Sequence, residues 1–141
     1  MIVVLDTNVI VSSLLSSKGA PAEIIRQWEA GAFDVAISPP LVTELTRVLT
    51  YERVRKYLKF SDEEIDGFLK YLRATAIVVE PEVTVEVVKD DPDDDRVLEC
   101  ALAAGASYIV SGNTHLLELK EYNQIVILNP VGFLAALKLR G

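Results

Sequence analysis

The chain has 141 residues, half of them apolar and a quarter charged, which is the composition of an ordinary globular domain. Its net charge of −7 argues against nucleic-acid binding by bulk attraction, although a bound cation would offset clustered carboxylates locally. No apolar run reaches the ~20 residues of a membrane span, and no signal peptide is visible. The single cysteine, Cys100, fits a buried helix position. We therefore expect one cytoplasmic domain spanning residues 1–141.

Short apolar runs alternate with amphipathic stretches along the chain. Residues 2–5 are apolar and mostly β-branched, and they stop at the polar Asp6-Thr7-Asn8, as a strand buried on both faces would. The stretches between such runs carry apolar residues at helical spacing, with capping residues or proline near their starts. We predict strands at 2–5, 33–38, 76–79, 108–110 and 125–128, and helices at 8–17, 22–30, 41–49, 61–74, 94–105, 114–119 and 129–139. Residues 81–89 are expected to be extended or irregular.

This alternation predicts the α/β fold class, with a parallel sheet covered by helices on both faces. In such sheets ligands bind outside the carboxyl ends of the strands, and Asp6 directly follows the first strand. Glu44 lies near the apolar face of the helix after the second strand, where an unpaired carboxylate is costly.

A further acidic group precedes the helix at 94–105, with five aspartates among residues 90–95. Acidic residues at a helix start commonly serve as caps, but five side by side repel one another. Convergent carboxylates that stay ionised at neutral pH usually hold a cation, and oxygen ligands alone favour Mg²⁺ or Mn²⁺. Zinc is disfavoured, because the chain has one histidine and one cysteine.

Four blocks of the sequence, in order, resemble PIN-domain ribonucleases, and most of all the branch of toxin–antitoxin toxins related to VapC. The blocks are residues 2–8 (IVVLDTN), 38–45 (SPPLVTEL), 91–101 (DPDD followed by LECA) and 108–113 (YIVSGN).

The resemblance implies a three-layer α/β/α sandwich with a central parallel sheet. It also implies that Asp6, Glu44 and Asp94 bind Mg²⁺ or Mn²⁺ and that the site cuts RNA phosphodiesters. Asp94 has the family's spacing to Ala101 and Gly105, and Asp95 is the neighbouring alternative. Asp91 is expected to shape the loop before Pro92 or to form a hydrogen bond that supports a metal ligand. RNA is the expected substrate, an antitoxin is a possible partner, and a homodimer or higher homo-oligomer is expected.

Two positions depart from the branch, which usually has aspartates where this chain has Asn113 and His115. Asn113 keeps an acceptor oxygen but loses a charge, so a second metal should bind more weakly; we expect Asn113 to orient a water or the scissile phosphate. His115 is expected to be an exposed residue at a helix start, with substrate contact or proton donation as the alternative. Asn8 and Ser111 are expected to hold the metal-binding carboxylates in place.

Three questions stay open at the level of sequence. Residues 47–59 hold five basic residues and two tyrosines, which fits either a single-strand RNA surface or a solvated helix whose tyrosines pack inward. Ile24, Trp28, Phe68 and Leu72 fit the core better than a docking face. The alternatives to a ribonuclease are a non-catalytic PIN-like module that binds RNA or protein, and a phosphatase with Asp6 as nucleophile, which would usually need an aspartate where Asn8 stands.

Overall fold

The computed structural model describes residues 1–88 and 91–140, so Lys89, Asp90 and Gly141 lie outside the described residues. Within that range the chain forms six strands and eight helices. In chain order these are β1 (Ile2–Leu5), α1 (Thr7–Leu15), α2 (Ala20–Glu29), β2 (Asp34–Ile37), α3 (Pro39–Val48), α4 (Glu52–Arg55), α5 (Asp62–Thr75), β3 (Ile77–Val78), α6 (Pro92–Ala104), β4 (Tyr108–Val110), α7 (Thr114–Leu119), β5 (Glu121–Tyr122), β6 (Ile125–Leu128) and α8 (Pro130–Arg140).

The strands form one sheet in the order β3-β2-β1-β4-β6-β5. β1 pairs in parallel with β2 on one side and with β4 on the other, and the β2–β3 and β4–β6 pairs are also parallel. The predicted α/β class with a central parallel sheet flanked by helices is therefore confirmed. The strand order reverses direction between β1 and β4, which is the type of position where open α/β sheets bind ligands.

The edges of the sheet differ from the sequence-based expectation. β3 contains two residues, both exposed, instead of the four predicted. The antiparallel strand β5 was not predicted, because two residues are too few to show a hydrophobic pattern. Its turn to β6 uses Asn123 (φ 48°) and Gln124 (φ 68°), a left-handed pair that lacks the glycine by which such turns are usually recognised.

The core packs against both faces of the central strands. Val3 and Val4 of β1 point to opposite faces, and both are fully buried, as expected for a central parallel strand. Ile24, Trp28 and Leu72 are also buried, and Phe68 packs partly against them, which agrees with the core reading of these residues. Cys100 is fully buried, and burial raises the pKa of its thiol to about 11. None of the helices in the described ranges is long and apolar enough to cross a membrane.

Residues 80–88, between β3 and α6, are irregular but tightly held. The Asp95 carboxylate accepts hydrogen bonds from the backbone N–H groups of Val87 (3.1 Å) and Val88 (2.8 Å). Glu99, one turn later on α6, accepts from the N–H of Val85 at 2.8 Å. These bonds satisfy backbone donors that no neighbouring strand reaches, so α6 fixes the path of the chain that leads into its own N-terminus.

Phe133 of α8 provides a test of this packing. Its ring is fully buried and packs edge-to-face against the rings of Phe33 and Tyr108, with distances between ring centres of 5.2 Å and 5.7 Å. We expect Phe133→Ala to lower the free energy of unfolding by about 3 to 5 kcal/mol, because it leaves a cavity between α8 and the sheet. Urea denaturation measures the change.

Val131 supplies the matched control, because it lies on the same helix with 70% of its surface exposed. Val131→Ala should change the free energy of unfolding by less than about 0.5 kcal/mol. Equal effects of the two substitutions would contradict the packing described for α8.

Candidate functional site

Asp6 lies at the carboxyl edge of the sheet, between β1 and α1. Its backbone N–H donates to the carbonyl of Val110 (2.9 Å), which extends the β1–β4 pairing to this residue. Asp6 occupies the N-cap position of α1, but its carboxylate does not cap the helix. Instead Asp6 Oδ2 accepts hydrogen bonds from Ser111 Oγ (2.7 Å) and Asn8 Nδ2 (3.2 Å). The expected supporting roles of Asn8 and Ser111 agree with this geometry.

Glu44 reaches the same edge from α3. This helix begins at Pro39, directly after β2, and Glu44 lies about one and a half turns along it. Its Oε2 accepts a hydrogen bond from Thr7 Oγ1 at 3.2 Å, and its side chain is half-buried. The partner expected for this carboxylate on an apolar helix face is therefore a neutral hydroxyl from the Asp6-Thr7-Asn8 turn.

The aspartates at the start of α6 divide into different roles. Asp91 is the N-cap, and its carboxylate accepts from the backbone N–H of Asp93 at 3.1 Å, so its loop-shaping role agrees with the structure. Asp94 is buried, and its Oδ1 accepts from Asn113 Nδ2 at 3.2 Å. Its other oxygen, Oδ2, is buried without a hydrogen-bond partner. Asp95 is turned to Val87 and Val88, so the structure does not support it as the alternative ligand.

Asn113 has a fixed amide orientation. It is the N-cap of α7, where its Oδ1 accepts from the backbone N–H of His115 at 2.8 Å. Because a backbone N–H can only donate, the oxygen must face the helix and the NH₂ must face Asp94. The acceptor oxygen that the sequence offered to the site is thus occupied by the helix cap.

His115 departs from the expectation of an exposed residue. Its side chain is half-buried, and Nδ1 is buried without a hydrogen-bond partner. Its ring is close enough to the site that its charge lowers the pKa of Asp94, against the other influences on that group. The exposed position predicted for His115 is therefore wrong, because α7 packs against β6 and its first turn is partly buried.

A pocket of about 280 Å³ lies at the carboxyl edge of β1 and β4. The pocket brings together the predicted Asp6, Glu44, Asp94 and Asn113, with Asp91 as a fourth carboxylate. Thr7, Asn8, Val11, Ser12 and Val48 complete its lining.

Three carboxylates of the pocket, those of Asp6, Glu44 and Asp94, resist ionisation. Burial raises the pKa of Asp6, against hydrogen bonds from Ser111 and other donors that lower it. Burial also raises the pKa of Glu44, and the negative charges of Asp6 and Asp93 add to this effect. For Asp94, burial followed by repulsion from Asp91 and Asp6 raises the pKa to about 7. A cation in the pocket would favour the ionised carboxylates and lower these pKa values again.

The residues fit a hard divalent cation in chemistry and in charge. The donors are oxygen atoms, and Asp94 Oδ2 is an unpaired acceptor in the shared pocket. In residues 1–88 and 91–140 no group of three or more His, Cys, Asp or Glu side chains is arranged to hold a metal ion. Mg²⁺ does not require such a group, because it commonly binds through one or two carboxylates and keeps several waters.

A family model described as PIN domain matches residues 2–115, which include every residue of the pocket. The chain belongs to the PIN domain family. An uncharacterized protein of Methanocaldococcus jannaschii, MJ1680, is 26% identical over 129 residues, which cover 92% of this chain and 81% of that protein. Among solved structures, a chain of VapBC2 from Rickettsia felis, bound to a DNA fragment from their promoter, has a TM-score of 0.60. It is 16% identical, covers 92% of this chain and is itself covered to 98%, so this likeness shows the fold.

Sequence reasoning missed two features of this PIN domain. The first is Thr7, whose hydroxyl joins Glu44 to the turn that carries Asp6; its position between two polar residues after a buried strand was the available signal. The second is that Asp95 binds the backbone of residues 87 and 88 and not the pocket; adjacent aspartates on a helix point about 100° apart, and sequence alone does not say which one faces the pocket.

The raised pKa of Asp94 predicts how the stability of the metal-free PIN domain depends on pH. An unfolded aspartate ionises near 3.8, whereas Asp94 in the folded protein ionises near 7. Between these values the unfolded state releases its proton first, so this group favours unfolding increasingly as pH rises from about 4 to about 7. Asp94→Asn should remove that loss.

Thermal unfolding in EDTA between pH 5 and pH 8 measures this effect. The melting temperature of Asp94→Asn minus that of the wild type should increase with pH and level off above pH 7. Asp66→Asn, an exposed change on α5, should show no such trend. A difference for Asp94→Asn that does not vary with pH would contradict the assignment.

Proposed function

We propose that this PIN domain is a Mg²⁺- or Mn²⁺-dependent endoribonuclease that hydrolyses RNA phosphodiester bonds. PIN domains generally are nucleases, which supports the class of reaction. We further propose that the protein is the toxin of a toxin–antitoxin pair, for which the fold shared with a VapBC2 chain is the support. An antitoxin partner and a homodimer or higher homo-oligomer belong to this proposal.

The observation that carries the proposal is the buried, unpartnered Asp94 Oδ2 in a pocket that also contains Asp6 and Glu44. Leaving a buried carboxylate oxygen unsatisfied is costly, and a cation bound between these carboxylates would remove that cost. The three carboxylates lie after β1, within α3 and in the first turn of α6, so the arrangement does not arise from one local turn.

Asp6, Glu44 and Asp94 would hold the cation, one or two of them directly and the others through its bound waters, with Ser111 and Asn8 orienting Asp6 through their hydrogen bonds. The cation would supply positive charge to the scissile phosphate and lower the pKa of a bound water. In the proposed reaction a water oxygen attacks phosphorus in line, the bond to the 3′ oxygen breaks, and a 5′-phosphate and a 3′-hydroxyl are released.

Asn113 has a different role from the one expected of a metal ligand. Its NH₂ lies against Asp94 Oδ1, while its oxygen caps α7. The NH₂ group has a second proton, which is available to donate to a phosphate oxygen near Asp94. We propose that Asn113 positions the substrate phosphate in this way and adds no negative charge to the pocket.

The orientation of Asn113 also favours a second candidate, a non-catalytic module that binds RNA or a partner protein. The amide occupies one of the four acceptor positions that the Asp94 carboxylate offers, so less of that carboxylate remains for a cation. Cation binding by the purified protein without cleavage of any RNA would favour this candidate over the nuclease.

Asp6→Asn tests the nuclease. We expect cleavage of end-labelled RNAs in Mg²⁺ or Mn²⁺ to fall at least ~100-fold, because loss of a supporting residue alone costs about 10- to 100-fold and Asp6 itself would help to hold the cation. EDTA should abolish cleavage by the wild type. Asp34→Asn is the matched control, because Asp34 is exposed at the opposite end of the sheet, where β2 begins. Cleavage by Asp6→Asn at the wild-type rate would exclude the proposed site.

Ser111→Ala tests the support of Asp6. The hydroxyl of Ser111 donates to Asp6 Oδ2 at 2.7 Å and accepts from the N–H of Asn113 at 2.9 Å. Its loss should weaken Mn²⁺ binding by about 10- to 100-fold. Isothermal titration calorimetry with Mn²⁺ measures this without any substrate. Unchanged affinity would show that Asp6 is oriented by other groups.

A further inference from the structure

We propose that residues 51–59, together with Arg47, bind single-stranded RNA and lead it to the carboxylate pocket. This inference rests on the proposed function, since it concerns how the substrate of that pocket is held. The residues of this basic-aromatic segment that carry the argument are Tyr51, Arg53, Lys56, Tyr57 and Lys59.

The first observation is that the two tyrosines are exposed. Tyr51 exposes 37% of its surface and Tyr57 exposes 61%. The reading in which both rings pack inward under a solvated helix is therefore wrong for this segment. The helix itself is one turn, α4, and the residues after it are irregular, and Val54 and Leu58 are the side chains of this stretch that pack against the core.

The second observation is that each tyrosine lies beside a cation. The Arg53 guanidinium lies 5.8 Å from the centre of the Tyr51 ring, and Lys56 Nζ lies 5.7 Å from the centre of the Tyr57 ring. A ring that holds a cation on one face leaves its other face for a nucleobase. The cation then lies close to the phosphate of the same nucleotide. This combination of stacking and phosphate contact is how proteins bind single strands with little sequence preference.

The third observation is the charge available in the segment. Arg55 is paired with Asp62 at 2.9 Å, so it is the least suited of these residues to contact phosphate. Within the described part of the chain, Arg47, Arg53, Lys56 and Lys59 make no ion pair. In a chain of net charge −7, the segment is thus a local region where a polyanion is attracted.

The fourth observation is the path of the segment relative to the pocket. Val48 lines the pocket, and its carbonyl accepts from the N–H of Tyr51 at 3.1 Å. At the other end, the N–H of Lys59 donates to the carbonyl of Leu14 at 3.4 Å. Leu14 lies on α1 one turn beyond Val11, which is also part of the pocket wall. Both ends of the segment are therefore anchored to elements that form the pocket, so a strand bound along it would reach the carboxylates.

Unpaired bases are favoured over a duplex, because stacking on exposed tyrosines requires bases that are not already stacked within a helix. The test is fluorescence anisotropy of a labelled 16-nucleotide RNA with the full-length protein in EDTA, where no cleavage occurs. The same strand annealed to its complement is measured in parallel. We expect the single strand to bind more tightly than the duplex.

Two pairs of variants separate stacking from charge. Tyr57→Ala should weaken single-strand binding about 10-fold, and Tyr57→Phe should retain it, since phenylalanine also stacks. Arg53→Gln should make the negative slope of log affinity against log salt shallower by about 0.7, the value for one lost phosphate contact with a single strand. Arg73→Gln is its matched control on α5, where Arg73 is also exposed, and should leave the slope unchanged.

Wild-type binding by both Tyr57→Ala and Arg53→Gln would overturn the proposal. Equal binding of duplex and single strand without dependence on Tyr57 would also overturn it and would favour an acidic protein as the partner of this surface. Cleavage assays separate this result from the proposed function. If RNA is cut but the variants bind normally, the segment proposal fails alone. If the variants weaken binding but no RNA is cut, the nuclease proposal fails and the RNA-binding surface stands.

Discussion

The mutual repulsion of four carboxylates in one small pocket is the constraint on which the arrangement of this domain depends. Asp6, Glu44, Asp91 and Asp94 come from three separate parts of the chain, and the parallel sheet brings those parts to one edge. The N-termini of α1 and α6 direct partial positive charge toward the pocket, which offsets some of the repulsion. Neutral donors from Thr7, Asn8, Ser111 and Asn113 offset more of it. Burial and the remaining repulsion raise the pKa of Asp94, and its Oδ2 has no hydrogen-bond partner.

The general fold follows from patterns that are local in sequence. The buried run at residues 2–5, the capping box at Ser61 and Glu64 and the left-handed Gly105 at the end of α6 each leave a clear signal, and each is present in the structure. β5 leaves no signal, because its two residues are fixed by pairing with β6 and by a turn without glycine. Edge strands of this kind are determined by tertiary contacts, which single-sequence patterns do not contain.

The sequence predicts which residues meet in the pocket, but it does not predict which atoms of each side chain face it. Asp6, Glu44, Asp94 and Asn113 share a pocket, as their motifs suggest. The direction of each side chain depends on competition between partners that are distant in sequence. Asn113 is the clearest example: its sequence position offers an oxygen to the site, but the first turn of α7 takes that oxygen and turns the amide nitrogen toward Asp94. Likewise, Asp94 and Asp95 are chemically identical, and the rotation of α6 against the sheet alone assigns one to the pocket and the other to residues 87–88.

The hydrogen bonds from residues 85–88 to Asp95 and Glu99 have a consequence for the cooperativity of the molecule. The amide protons of Val85, Val87 and Val88 belong to no helix or strand, yet buried carboxylates hold them. Such amides exchange with solvent at the rate of the element that protects them, and here that element is α6. This irregular connection and the helix that carries Asp94 should therefore open as one unit. A substitution in residues 85–88 would therefore also affect the carboxylate pocket, because α6 carries both the carboxylates that bind this connection and Asp94.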